Sequence, residues 1–493
     1  MSDLPILKPP SPSDVELRAF INGEQVDVRG NETFALENPS TGEFFVNLKA
    51  ANEADVNDAY TAAVKAQPAW GALSPSKRVS HVYAFAKLLT RDAAKLGGLE
   101  TVVMGKQMSV QLGPSTEQFI NDITGYASST HGKSSNANKD MLAVSTFRPY
   151  GVVACIMPFN SPTGNLAMAV IPALLAGNAV ILKPSERNAL TVLAWGALFN
   201  EAGFPPGTVN ILPGGGQTGA LLAEHMGVRM ITFTGSVSAG RAVAAAAVRS
   251  NLKKVVLELG GKSPAIVFDD ADIPSAVGHI SVGIRFMAGQ MCIANSRIYV
   301  QESIAESFKK AFTEHHFSHK MGDPWDLSSA LGSGPVVDKR AYDSILGYIE
   351  SARTSGGTVL QAEQAKTKGY FIPATILTDL PEDAKAIKEE IFGNVTHIST
   401  FRTEAEALAL ANDTEFGLYA SVFTSNTDRA IRCSQGLQAG TVLVNSGAPF
   451  LAADMPFGGV KQSGWGKQLG PHCITDFMQE QTTFIKYGAS PPE

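Results

Sequence analysis

The sequence predicts an α/β fold of two doubly wound domains, and three observations lead there. From Tyr150 onward, short continuous runs of Val, Ile and Leu alternate with helical stretches. The same alternation resumes after Cys292. A chain of 493 residues also exceeds what one apolar core usually serves, so roughly two or three cores are expected.

Taken in order, the chain opens on MSDLPILKPPSPSD, which lacks the basic start and apolar core of a signal peptide and reads as a loose tail. Residues 54–110 carry apolar side chains at three- and four-residue spacing, around Val56, Ala59, Ala63 and Ala66 and then Val82, Phe85 and Leu88, which predicts helices. The runs GVVACIM, AVILK, TVNILP, MITFTG, VVLELG and PAIVFDD are the expected strands. Unbroken apolar runs of this kind suit parallel strands buried on both faces, with helices as crossovers. The most apolar stretch, Leu166 to Leu182, is short for a bilayer and is broken by Pro172, Gly177 and Asn178, so a buried helix followed by a strand is expected. Ser296–Gln301 and Gly440–Asn445 are candidate strands of the second domain, with a cleft between the two.

Composition narrows the function classes. With 44% hydrophobic and 17% charged residues the chain is an ordinary globular one. A net charge of -6, with no Lys/Arg block, argues against nucleic acid or an anionic membrane surface as partner and for a small molecule. Four scattered cysteines, Cys155, Cys292, Cys433 and Cys473, suit a reducing compartment, and the cytoplasm is expected. No metal-ligand spacing is present, so no metal site is expected.

Several segments could carry chemistry. Pro213–Gly219 holds a literal GxGxxG between strand and helix. No acidic residue follows about twenty positions later, so it reads as a surface turn rather than a phosphate loop. Phe233–Gly240 ends a strand on Gly235 and starts a helix near Ser236, where backbone N–H groups and a positive dipole end suit a pyrophosphate. Lys183-Pro-Ser-Glu186 puts a cation and a carboxylate at a strand's carboxyl end. Glu258 is embedded in the apolar strand of LELGGKSP, where burial raises a carboxyl pKa toward that of a general base. Cys292, in AGQMCIAN, is a candidate nucleophile, and Asn160 in PFNSP is a candidate donor to an oxyanion. Each also has a bland reading as a cap, a turn, a buried ion-pair partner or an inert thiol.

Together and in this order, LELGGKSP, GQMC, FTGSVSAG, KPSE, Glu389-Glu-Ile-Phe-Gly393 and MPFGGVKQSG resemble the aldehyde dehydrogenase superfamily, from Phe20 to the C-terminus. The resemblance implies a dinucleotide-binding domain (1–126 and 147–257), a catalytic domain (258–462) and a small bridging β arm (127–146 and 477–493) that builds dimers or tetramers. It implies NAD or NADP as cofactor and an aldehyde as substrate. Cys292 would be the nucleophile, Glu258 the base, and Asn160 with the Cys292 N–H the oxyanion hole. Lys183, Ser185 and Glu186 would hold the adenosine ribose, and Gly235, Ser236 and Gly240 would lie by the pyrophosphate. Glu390 would bind the nicotinamide ribose and Phe392 would pack by the nicotinamide. Ile156, Pro158, Phe159, Gly215, Phe233 and Leu259 would complete the cofactor contacts. The substrate pocket would be formed by Ser161, Gly164, Asn165 and Met168, with Phe286, Met291, Ile293, Leu451 and Phe457.

The chain departs from the family's pattern in a way that bears on turnover. Many hydrolytic members place a lysine and a glutamate beside the general base; here those positions are Ala169 and Gln468. Members similar to salicylaldehyde, benzaldehyde and vanillin dehydrogenases share this lack, which leans the substrate toward aromatic or bulky apolar aldehydes. Glu186 favours NAD, since a carboxylate repels a 2′-phosphate. A CoA-acylating enzyme and a non-catalytic binding protein on the same fold are the alternatives, and retention of Glu258, Cys292 and Asn160 weighs against both.

Overall fold

The computed structural model describes residues 9–108, 114–137, 140–326, 332–363 and 368–487. The first sheet has eight strands, and its central five, Val152–Ile156, Ala179–Lys183, Val209–Ile211, Met230–Thr234 and Lys254–Glu258, run parallel. The chain winds outward from Val152–Ile156 in one direction through the second and third strands, and in the other through the fourth and fifth. Helices Leu190–Glu201, Gly216–Glu224 and Val237–Ser250 supply three of the crossovers.

Alternation explains why these runs are apolar throughout. Val153, Cys155, Val180 and Leu182 enter one core, while Val152, Ala154, Ile156 and Ile181 enter another on the opposite face. Gly464–Trp465 lies antiparallel along Lys254–Glu258, and Ala19–Ile21 lies antiparallel along Val209–Ile211. Late sequence thus returns to flank the strand that carries Glu258.

The second sheet has seven strands. Pro264–Val267, Arg297–Gln301, Thr375–Thr378, Val395–Phe401, Tyr419–Phe423 and Thr441–Val444 are parallel, and Thr358–Gln361 closes one edge antiparallel. A third sheet joins Ser134–Ser135, Met141–Pro149 and Met478–Lys486. The strand Met141–Pro149 runs past the expected arm boundary at 146, and the arm residues 138–139 and 488–493, like the first eight residues of the tail, lie outside the described residues.

The predicted helical region forms Glu53–Gly71, Pro75–Arg91 and Ala93–Met104, while 109–110 lie outside the described residues. Asn52 caps the first helix by accepting from the N–H groups of Ala54 and Asp55. Between Asn160 and the second strand the chain makes a wide turn at Leu166–Val170 before the helix Ile171–Leu175. Pro172 has no N–H for the helical ladder, and the Ile171 N–H reaches back five residues to the Leu166 carbonyl. Among the described residues no helix is long and apolar enough to cross a membrane.

Candidate active site

Four parallel strands end on the same side of the first sheet, and each delivers a segment that the sequence singled out. Their register sets Thr234 beside Glu258, and Ile156 beside both Lys183 and Phe233. The segments Pro158–Asn160, Lys183–Glu186, Gly235–Ser236 and Leu259–Gly261 follow directly. One rim of the cleft is therefore made by strand ends alone.

On this rim the polar groups are engaged. The buried Lys183 ammonium donates to the carbonyls of Gly214 (2.7 Å) and Gly215 (3.2 Å) and stands 3.9 Å from Glu186. Burial pulls its pKa down to about 8, against the Glu186 carboxylate. The reading of Pro213–Gly219 as a surface turn is thereby corrected: its carbonyls are bound to the lysine of the neighbouring strand end. Ser236 caps Val237–Ser250 by accepting from the Ala239 N–H, and the Gly235 N–H donates to the Glu258 carbonyl at 3.0 Å. A Cβ on Gly240 would come within 2.5 Å of the Leu259 side chain, so this helix start sits close against the end of the Glu258 strand.

The opposite rim comes from the second domain's sequence. Glu390 accepts from the Gly261 N–H at 2.9 Å, and burial raises its carboxyl to about 7 against that hydrogen bond and the Lys262 ammonium. Phe392, with φ 58°, sets its ring edge-on to Phe159 at 5.8 Å. Arg187 lies over Phe159 at 5.3 Å and pairs with Asp338 at 3.1 Å, joining the two rims.

The loop before Cys292 is bent hard. Met287, Ala288 and Gly289 have φ of 51°, 56° and 77°, a left-handed run that costs about 1–3 kcal/mol at each non-glycine residue and must be imposed by its surroundings. Gln290 imposes it. Its side chain donates to the Met287 carbonyl (3.0 Å) and accepts from the Val337 N–H (2.9 Å), while its own carbonyl accepts from Asn160 Nδ2 (2.8 Å). The sequence reading missed Gln290, because a buried amide in a loop carries no periodicity. On the other side, a Cβ on Gly261 would meet the Cys292 carbonyl at 2.1 Å, so the strand end that follows Glu258 is pressed against the cysteine. Burial and the nearby Glu390 and Glu258 carboxylates push the Cys292 thiol up to about 12. It rests protonated and needs a proton acceptor to attack.

Glu258 is the candidate acceptor: it ends its strand, is 3% exposed, and neither carboxylate oxygen makes a well-formed hydrogen bond. Burial lifts its carboxyl well above the usual range, opposed by the Lys467 ammonium and the Gly459 N–H. Its Oε1 lies so near Gly458 that a Cβ there would be at 2.5 Å. Lys467 donates to the Gly458 carbonyl, and Phe457 exchanges two 2.7 Å backbone hydrogen bonds with Gln468. Gln468 is buried with both amide atoms unpartnered, and Ala169 is fully buried.

The aldehyde dehydrogenase family model matches residues 26–483. This chain belongs to that family. An aldehyde dehydrogenase of Agaricus bisporus is 40% identical over 98% of this chain and 97% of its own. Retinal dehydrogenase 2 of Homo sapiens is 38% identical over 99% of this chain and 95% of its own. A solved structure of a point mutant of the indole-3-acetaldehyde dehydrogenase AldA of P. syringae, in complex with NAD+ and IAA, superposes with a TM-score of 0.91 at 35% identity, covering 97% of this chain and 100% of that one.

In this aldehyde dehydrogenase several of the residues expected at the pocket belong to one large apolar cluster, which also takes in the helices beside the first sheet. Met291, Ile293 and Phe457 are buried in it, and Met168, Phe286, Leu451 and Cys292 itself lie partly exposed against it. Ser161 and Gly164 face each other across one helical turn, where a Cβ on Gly164 would meet the Ser161 hydroxyl at 2.6 Å. Asn165 departs from the expectation: it is 2% exposed and donates to Thr234 Oγ1 at 2.8 Å, which makes it a brace between the wide turn and the fourth strand. Among the described residues no group of three or more His, Cys, Asp or Glu side chains is placed to hold a metal ion.

Proposed function

We propose that this protein oxidises an aldehyde to a carboxylic acid with NAD, through covalent attachment to Cys292. One observation carries the reading: the Cys292 loop is gripped by Asn160 through the Gln290 carbonyl and abutted by Gly261 of the Glu258 strand end, so nucleophile, donor and base meet at one place.

The residues fit a dinucleotide. Lys183 and Glu186 suit ribose hydroxyls, the Gly235–Gly240 turn suits a pyrophosphate, and Glu390 suits the second ribose. Ile156, Pro158, Phe159, Ser185, Gly215, Phe233, Leu259 and Phe392 border the same cleft. NAD bound there supplies the hydride acceptor.

Glu258 takes the Cys292 proton and the thiolate adds to the aldehyde carbon. The second Asn160 amide hydrogen and the Cys292 N–H stabilise the oxyanion. Collapse of that thiohemiacetal expels hydride and leaves a thioester on Cys292. Glu258 gives that first proton up to solvent and, again a carboxylate, removes a proton from water, which attacks the thioester; the acid leaves and the departing thiolate takes the proton from Glu258, restoring the thiol. The apolar cluster around Met168, Phe286 and Phe457 supports an aromatic or bulky apolar aldehyde. Glu186 beside Lys183 supports NAD over NADP, and a clear NADP preference in catalytic efficiency would overturn that part.

The division into domains at 1–126 with 147–257, 258–462, and 127–146 with 477–493 is proposed with this function. Phe484, Ile485 and Tyr487, exposed near the arm's outer edge, support a homodimer or homotetramer. Four free cysteines support a reducing setting, the cytoplasm. A panel of aliphatic, aromatic and semialdehyde substrates, followed by NADH absorbance with and without CoA, tests the reading: NADH formation that requires CoA would replace it with acyl transfer to CoA.

A further inference from the structure

The segment that presents Glu390 is held twice by consecutive residues of the strand end that follows Glu258. The Gly261 N–H donates to Glu390 Oε1 at 2.9 Å. Next in the chain, Lys262 sends its ammonium to the Ala386 carbonyl at 2.8 Å, four residues before Glu390 in the short helix Lys385–Lys388. Lys262 is 1% exposed, and its own carbonyl accepts from Arg297 Nε at 2.9 Å. A cation is thus buried without a carboxylate in contact, beside another cation, which is costly and calls for a reason.

We infer that Lys262 is a positioning residue for the nicotinamide end of the cofactor: it ties the Glu390 segment to the Glu258 strand and supplies the positive charge that keeps Glu390 ionised for hydrogen bonding to a ribose diol. This rests on the reading of Glu390 as the ribose acceptor. Around Glu390 the facing titratable groups are Lys262, Glu389, Tyr348 and Cys292; around Lys262 they are Arg297, His397, Glu389 and Glu390. Of these, Lys262 is the charge that favours the Glu390 carboxylate, while burial opposes it. Burial and then Arg297 pull the Lys262 ammonium down to about 7, against the Glu390 and Glu389 carboxylates, so Lys262 and Glu390 each favour the charged form of the other. The tether and the charge act on one target. Removing Lys262 shifts Glu390 toward its protonated form, with the Gly261 N–H left to favour the carboxylate.

The test compares Lys262→Met, Glu390→Gln and the double variant with wild type. It reads KM for NAD, KM for aldehyde, and the Kd of NADH by fluorescence without aldehyde. Lys262→Met is expected to raise KM for NAD and the Kd of NADH about ten-fold with aldehyde KM within two-fold, and to move the acid limb of NADH binding about one pH unit upward. In the Glu390→Gln background the same change is expected to add nothing. If Lys262→Met does not fold, Lys262→Gln, which keeps a donor without the charge, replaces it in every arm and is expected to show the pH displacement. Unchanged NADH affinity in the Lys262 variant, or effects that simply multiply in the double variant, would overturn the inference. Unchanged affinity in Glu390→Gln would instead overturn the ribose reading, and with it the ground for this one.

Discussion

On the cofactor side of Cys292, the polar groups singled out for binding have partners: Lys183 binds the Gly214 and Gly215 carbonyls, Glu390 the Gly261 N–H, and the exposed Ser236 the Ala239 N–H. On the base side, neither oxygen of Glu258 makes a well-formed hydrogen bond, and both amide atoms of Gln468 are buried without a partner. Buried polar groups are almost always satisfied, and leaving one unmade costs about 1–3 kcal/mol. The difference teaches how the two sides work. A ligand that binds and leaves unchanged is met by groups whose hydrogen bonds are exchanged for equivalent ones. A water that is consumed each turnover is met by polar atoms that no strong hydrogen bond holds.

The contrast can be broken at its centre first. Cys292→Ala is expected to abolish NADH formation from aldehyde, by at least about ten-thousand-fold in kcat, while NADH binding persists. Comparable oxidation by the variant would leave both sides without a reaction to serve. Glu258→Gln comes next, with kcat lower by about a hundred- to ten-thousand-fold and the first-turnover burst of NADH less affected than the steady state. The sign of its pH dependence follows from burial. Because the Glu258 carboxyl is raised well above its ordinary value, the base form is lost as pH falls through that raised pKa, so wild-type kcat should drop on acidification earlier than an exposed glutamate would dictate. A wild-type acid limb that survives in Glu258→Gln would assign the limb to another group.

Asn160→Ala is expected to lower kcat by about a hundred- to a thousand-fold with little change in KM, the loss of one oxyanion donor. Equal loss in KM and none in kcat would make Asn160 a brace for Gln290 only. A smaller effect concerns the unpaired amide. With Ala169 and Gln468 giving Glu258 no charged relay, acyl release is expected to limit turnover, visible as a pre-steady-state burst of NADH; linear progress from the first turnover would break the contrast. Gln468→Leu should be close to neutral in thermal unfolding, because it removes two unsatisfied buried atoms. A fall of several degrees would mean the amide has a partner after all.

Much of this was legible in the residues. The runs GVVACIM, AVILK and MITFTG became strands buried on both faces, because an unbroken apolar run leaves no face for water. Glu258 stood out because a charge inside such a run has to be explained, and it proved to be buried without a well-formed hydrogen bond. Relations across the cleft were not legible. The Pro213–Gly219 turn looked like surface because nothing in its sequence tells that Lys183, on the preceding strand, would bind its carbonyls. Asn165 was expected in the pocket by position, yet it is buried and its amide donates to Thr234, a strand end far away in sequence. Gln290 gave no signal, since its worth lies in three partners far apart in sequence.

That wide turn at Leu166–Val170 has a consequence for how the protein tolerates change in length. A turn closed by a five-residue reach is an ordinary helix with one residue too many. Deleting one residue there would remove no catalytic group, yet it would rotate everything on its N-terminal side by about 100° about the helix axis. Asn160 and Ser161 stand just before that segment. The alignment of the oxyanion donor with Cys292 is therefore held in a count of residues as much as in their identity, and homologous chains should accept substitutions through this stretch far more readily than a single insertion or loss.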